Sequence, residues 1–115
     1  MIDKIEITIC DDHRIVRDGL KQIMSLFPDI SVIGGDIASG ENLIKSLKDF
    51  QPDVLILDIS LPGRSGLEVL KQVKALYPEI GVLILSMYPE DQFAIRMIKA
   101  GASGYLNKDT PPEIL

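Results

Sequence analysis

The sequence predicts a doubly wound α/β domain built on five parallel strands. Short aliphatic runs recur along the chain at Ile5–Cys10, Ile30–Ile33, Val54–Leu57, Val82–Leu85 and Ser103–Leu106, each of strand length. The segments between them carry apolar residues at helical spacing. Turn signals separate the two kinds of element: Pro28, Gly34-Gly35, Pro52, Pro78 and Gly101. Strict strand–helix alternation leads to a parallel sheet covered on both faces.

The 115 residues, 46% apolar and 25% charged, suit one domain. No stretch approaches the ~18 consecutive apolar residues of a membrane span, and Met1-Ile2-Asp3-Lys4 lacks the basic-then-apolar layout of a signal peptide. A cytoplasmic location without membrane partners is expected. A net charge of −5 argues against direct contact of this chain with nucleic acid and suits a cation ligand. The single cysteine, Cys10, has no internal disulfide partner and reads as a small buried apolar residue.

In strand one, Ile5, Ile7 and Ile9 alternate with Glu6, Thr8 and Cys10, and Asp11-Asp12 follow. In a central strand Glu6 belongs near the rim, and Thr8 needs a hydroxyl partner. From His13 the residues Val16, Leu20, Ile23, Met24 and Phe27 mark one helical face, with Ile15 off it. Ile30 to Ile33 forms a short strand, after which Ser39 caps a helix whose inward set is Leu43, Ile44, Leu47 and Phe50. The run Val54-Leu55-Ile56-Leu57 then ends on Asp58, and Pro62-Gly63 turns the chain. Ser65-Gly66-Leu67-Glu68 has capping-box form and opens a third helix with Leu67, Leu70, Val73 and Leu76 inward. Val82 to Leu85 ends on Ser86. Pro89-Glu90-Asp91 starts a fourth helix, with Ile95 off its stripe, which Gly101 ends. Strand five, Ser103 to Leu106, leads to Asn107-Lys108. Thr110-Pro111-Pro112-Glu113 has the form of another capped start, so a fifth helix is expected to begin and to be cut short at Leu115. That points to a longer protein whose output domain follows.

Right-handed crossovers bring all strand exits to one edge of the sheet. That edge therefore collects Asp11, Asp12, Asp58, Ser86 and Lys108. Three neighbouring carboxylates repel by roughly 4 kcal/mol per pair at ~4 Å and an effective dielectric of 20, so a cation belongs among them. Hard oxygen donors at a water-accessible loop suit Mg²⁺. With a metal and Lys108 to neutralise the transferring oxygens, Asp58 can attack a phosphoryl group and become an aspartyl phosphate. Taken alone, Asp11 could equally be a helix cap, and Ser86 and Tyr105 could be a cap and a strand aromatic. His13 reads as a solvated first-turn residue, because three carboxylates need no imidazole. Asp53 lies at the opposite edge.

In order and spacing, Asp11-Asp12-His13, Leu57-Asp58-x-x-Leu61-Pro62-Gly63, Ser86, Gly101-Ala102-x-Gly104-Tyr105 and Lys108 resemble the response-regulator receiver domain. The likeness extends over essentially the whole chain. The Asp-Asp-His opening and Leu85-Ser86-Met87-Tyr88 resemble the NarL/FixJ-type branch with its LuxR-type output. The resemblance implies a flavodoxin-like receiver fold with strand order 2-1-3-4-5. Asp58 would be the phosphoacceptor, Asp12 a direct Mg²⁺ ligand and Asp11 a partner acting through water, with the Ser60 carbonyl completing the metal shell. Lys108 would contact the phosphoryl group, Ser86 would hydrogen-bond it, and Tyr105 would be the switch aromatic. The implied partners are a sensor histidine kinase and, through a C-terminal helix-turn-helix module, DNA. Ile15 is expected on the kinase-docking face and Ile95 on the output face, and apolar surface left by the short fifth helix is expected to favour a homodimer.

The chain departs from the family pattern at three places. Asp109 replaces the usual cis-proline after the lysine, where a non-proline cis bond would cost about 2.5 to 4 kcal/mol. Ser65 replaces a usual Asp, and Met87 is bulkier than the small residue many receivers carry. Two other functions share part of the pattern. A haloacid-dehalogenase-type hydrolase would need Asp-x-Asp at its first strand, whereas Ser60 stands two residues after Asp58 and 115 residues leave no room for a cap domain. In a flavodoxin-like cofactor module, the loop after strand one would bind phosphate, which Asp11-Asp12 would repel.

Overall fold

A computed structural model describes residues 4–35, 37–59, 66–86 and 92–107. The elements run β1 (Ile5–Cys10), α1 (Arg14–Met24), β2 (Ile30–Val32), α2 (Gly40–Leu47), β3 (Val54–Asp58), α3 (Gly66–Leu76), β4 (Gly81–Ser86), α4 (Gln92–Lys99) and β5 (Gly104–Asn107). The strands form one parallel sheet in the order β2-β1-β3-β4-β5. The chain steps outward from β1 to β2 and then crosses to β3 on the other side of β1. The topological switch therefore lies between β1 and β3, and a crevice opens at their carboxyl ends.

Alternation along the strands sorts side chains to two faces. One face joins Cys10, Leu55, Leu57, Val82, Ile84 and Tyr105 to the inward sides of α2 and α3. The other joins Ile7, Ile9, Ile56 and Leu85 to Leu20 of α1. Thr8 is fully buried, and its hydroxyl donates to the Ile33 carbonyl at 3.1 Å, while Glu6 lies exposed beside Asp53. Both match the expectation for a central strand. The Ser39 side chain accepts from Asn42 N at 3.2 Å, capping α2 as its sequence predicts.

Several boundaries and faces differ from the sequence reading. Helix α1 begins one residue after His13 and stops at Met24. Phe27 follows in a turn and is half exposed, because a residue before proline disfavours helical geometry. In α3 the inward set is Val69, Leu70 and Val73, whereas Leu76 is exposed and Leu67 only half-buried. The cause is tertiary: α3 leans on α2 as well as on the sheet, and a Cβ on Gly40 would fall 2.6 Å from Val69 Cγ2. Strand β2 ends at Val32, although Ile33 N still donates to Ile7 O, and β5 starts one residue late, at Gly104. Gly101 closes α4 at φ 110°, a left-handed conformation that suits glycine. Ile15 and Ile95 are exposed, as their places off the stripes imply. The Pro62-Gly63 turn, the Ser65 cap, the start of the fourth helix, Met87, the Lys108-Asp109 bond and the fifth helix lie outside the described residues.

Candidate functional site

Register alone brings the acids together. Cys10 pairs with Leu57 across β1 and β3, so the next residues, Asp11 and Asp58, leave the sheet side by side. Asp58 pairs with Leu85, which puts Ser86 one step beyond it, and Ser86 pairs with Asn107. Ile59 N donates to Leu85 O at 3.0 Å and carries the β3 exit along β4. Gly66 then packs against that exit: its N donates to Ile59 O at 3.0 Å, and a Cβ there would lie 2.5 Å from Ile59 Cα. Any larger residue would push α3 away from the β3 exit that carries Asp58.

Asp11 and Asp58 are fully buried, whereas the Asp12 side chain is one-third exposed. One oxygen from each of these carboxylates and one nitrogen of His13 all lie within 4.8 Å of one another. Buried carboxylates are costly unless a cation or donors compensate them. Part of the compensation is local: His13 N donates to Asp11 Oδ1 at 2.7 Å. Arg17, buried on α1, donates from Nη1 to the Asp11 carbonyl at 2.5 Å. The donor set of three carboxylates, partly open to water through Asp12, fits a hard divalent cation such as Mg²⁺.

The field of this cluster is felt one residue back. Cys10 is fully buried, as expected, with its sulfur 3.7 Å from Ser39 O. Burial raises its pKa first and the negative charges of Asp11 and Asp58 raise it further, against Arg17, so the thiol is pushed up to about 12. It is protonated and inert at neutral pH.

Of the residues singled out in the sequence, Asp11, Asp12 and Asp58 converge, and Ser86 is fully buried at the adjoining strand exit. Tyr105 is buried on β5, and its hydroxyl has no hydrogen-bond partner among the described residues. Lys108 and Ser60 lie outside the described residues. Two residues were misjudged or missed. His13 is not merely solvated: half exposed, its Nδ1 sits 3.0 Å from Asp11 Oδ1, 3.1 Å from Asp12 Oδ1 and 3.8 Å from Asp58 Oδ2. Arg17, which the sequence reading does not single out, falls three and seven residues before Leu20 and Met24, a spacing that marks an inward position.

Comparison with known proteins agrees with this geometry. The response regulator receiver domain family matches residues 7–115. The nitrate/nitrite response regulator NarL of Escherichia coli K12 is 40% identical over 111 residues, covering 95% of this chain and 50% of NarL. The transcriptional regulatory protein DegU of Brevibacillus brevis is 35% identical over 113 residues, covering 98% of this chain and 48% of DegU. The chain thus spans about half the length of these relatives. Among solved structures, a LuxR-family two-component response regulator from Aurantimonas superposes with a TM-score of 0.89 at 29% identity, covering 96% of this chain and 79% of that one. The isolated receiver domain of RcsB from Salmonella enterica, determined with the phosphomimetic BeF3⁻, gives 0.89 at 25% identity, covering 96% and 81%. No helix among the described residues is long and apolar enough to cross a membrane. A parallel sheet in the order β2-β1-β3-β4-β5, carboxylates gathered at its topological switch and a match running nearly end to end together establish that this chain belongs to the response regulator receiver domain family, signalling switches of two-component systems, and is related to the NarL-type transcription regulators.

Proposed function

We propose that Asp58 is the phosphoacceptor of this receiver domain. The observation that carries the proposal is the burial of Asp58 beside Asp11 and Asp12 at the β1/β3 switch point. A nucleophilic oxygen of Asp58 forms a bond to phosphorus while the bond from phosphorus to a phosphohistidine nitrogen breaks, and the departing imidazole keeps that electron pair. Asp11, Asp12, Asp58 and the Ser60 carbonyl would hold Mg²⁺, with Asp12 a direct ligand and Asp11 acting through water. A bound Mg²⁺ supplies positive charge to the oxygens of the transferring group. Lys108 offers a second positive charge, and the Ser86 hydroxyl donates a hydrogen bond to the phosphorylated carboxyl group.

The switch follows from charge and packing. Phosphorylation replaces the single negative charge of the Asp58 carboxylate with a phosphoryl group carrying about −1.5 to −2 charges at the buried β3 exit, drawing Ser86 and the loop after it inward. Tyr105 lies beside Ile84 across β4 and β5, two residues before Ser86, where its packing responds to movement of the Ser86 exit. Reversing a two-state population from 1:99 to 99:1 takes about 5.5 kcal/mol of differential interaction.

The partner is a cognate sensor histidine kinase in the cytoplasm, docking over a face that includes the exposed Ile15 of α1, while Ile95 of α4 faces the output. The kinship with NarL and DegU supports a transcription-regulating output domain that follows residue 115 and binds DNA through a helix-turn-helix. A homodimer belongs to the same reading: Leu20, Met24, Phe27, Val54 and Leu83 line an apolar groove of about 540 Å³, and a clean monomer in sedimentation at high concentration would count against it.

The deciding experiment is phosphoryl transfer from acetyl phosphate or a phosphorylated kinase in the presence of Mg²⁺. Wild-type chain should take one label and Asp58→Asn none; equal labelling of the variant would refute the assignment. Sustained release of phosphate from many equivalents of a phosphate ester would refute the switch and favour a hydrolase.

A further inference from the structure

We propose that Arg17 is a positioning residue for the acidic edge: its buried guanidinium holds the Asp11 carbonyl and so sets the turn that carries Asp11 and Asp12 against Asp58. This rests on the reading of Asp58 as the phosphoacceptor of a cation-assisted site.

The turn between β1 and α1 contains a carbonyl that neither element serves. Asp11 is fully buried and stands two residues before the cap of α1. The helical ladder begins beyond it, with Arg17 N donating to His13 O at 3.0 Å. A buried carbonyl without a donor is costly, and here the donor is a side chain. Arg17 is the fourth residue of α1, and helical side chains lean toward the amino end. Its stem runs back along the first turn, and Nη1 donates to Asp11 O at 2.5 Å. Arg14, three residues earlier, stays exposed and pairs with Asp18 at 3.6 Å, so position rather than residue type decides.

Asp11 is then held on three sides. Its N–H donates to Ile37 O at 3.1 Å, its Oδ1 accepts from His13 N at 2.7 Å, and Arg17 holds its carbonyl. The third bond ties the turn to the body of α1, whose Leu20 packs on the sheet.

Charge and position predict opposite signs for a cation. A guanidinium near the cluster repels a divalent ion, and its field reaches Cys10, where it acts against Asp11 and Asp58. If charge were its whole effect, removing Arg17 would tighten Mg²⁺ binding. If the carbonyl bond sets the turn, removing it lets Asp11 and Asp12 move relative to Asp58 and weakens binding in spite of the lost repulsion.

The test compares wild type with Arg17→Met, which removes charge and donor at similar length, and Arg17→Lys, which keeps both. In the metal-free chain, amide exchange followed by NMR should be about tenfold faster at His13 in Arg17→Met and unchanged at Ile56 of β3. Titration calorimetry should show Mg²⁺ bound about tenfold more weakly by Arg17→Met and within about twofold of wild type by Arg17→Lys. Tighter or unchanged Mg²⁺ binding in Arg17→Met, or no recovery in Arg17→Lys, would overturn the positioning role while leaving the cation site standing. Equal acceleration of exchange at His13 and Ile56 would mark a general loss of packing and overturn it as well. No Mg²⁺ binding by wild type would overturn the cation site and this inference together.

Discussion

Strand β3 has an aspartate at each end, and the two serve opposite ends of the sheet in different ways. Asp53, just before the strand, is exposed: its Oδ2 accepts from Glu6 N at 2.8 Å and its own N–H donates to Glu6 O at 2.8 Å, so it pins the start of β3 to β1. Asp58, the last residue of the strand, is fully buried beside two more acids. The residue type is the same and the strand is the same. What differs is that parallel strands with right-handed crossovers send every loop of one kind to the carboxyl edge, and the chain reversal between β2 and β3 opens that edge there. Charge at the amino edge is solvated and local; charge at the carboxyl edge is concentrated and unscreened.

The largest contrast is in chemistry. Asp53→Asn should accept phosphoryl groups from acetyl phosphate as wild type does, whereas Asp58→Asn should lose labelling completely. Labelling lost at both positions would mean that the two edges are not functionally separate.

The second contrast is read by Cys10, which senses the carboxyl edge. Below pH 9 the thiol is protonated in both folded and unfolded chains and contributes no pH dependence. Above its ordinary 9.0 the unfolded chain releases the proton while the folded chain holds it to about 12, so stability falls as pH rises through that window. Urea unfolding of wild type should lose roughly 1.4 kcal/mol per pH unit there relative to Cys10→Ala. Asp58→Asn should shrink that difference and Asp53→Asn should leave it intact.

Mg²⁺ sharpens the comparison further. At a hundredfold excess over its dissociation constant it should stabilise the wild-type chain by about 2.7 kcal/mol. Asp12→Asn should lose most of that gain and Asp53→Asn none, as followed by urea unfolding with and without MgCl2.

The smallest effects belong to the metal-free chain. Removing one of three crowded charges in Asp58→Asn should raise stability by about 1–2 kcal/mol. Removing an exposed hydrogen-bonding carboxylate in Asp53→Asn should lower it by up to about 1 kcal/mol. Equal signs for the two substitutions would show that repulsion at the carboxyl edge is already compensated within the fold.

Gly66 ties the carboxyl edge to the rest of the fold, since the Cβ of any replacement would meet the Ile59 backbone. The sequence marks it only as the residue after a capping serine. Val69 is equally opaque in isolation, because α3 shows more than one plausible apolar stripe and the choice between Val69 and Leu76 is made by α2.

Sequence by itself determined the elements, their alternation and the residues each strand hands to its exit. These are encoded locally, in period two, in period 3.6 and in proline and glycine punctuation, and none of them needs a distant partner. Only the tertiary structure decided that Asp11 meets Asp58 at the distance of one register step, that Arg17 lies buried against the Asp11 carbonyl, and that His13 turns its ring over three carboxylates. Those outcomes depend on strands far apart in the chain and on the tether of one N–H to one carboxylate, and a one-dimensional pattern carries no such distances.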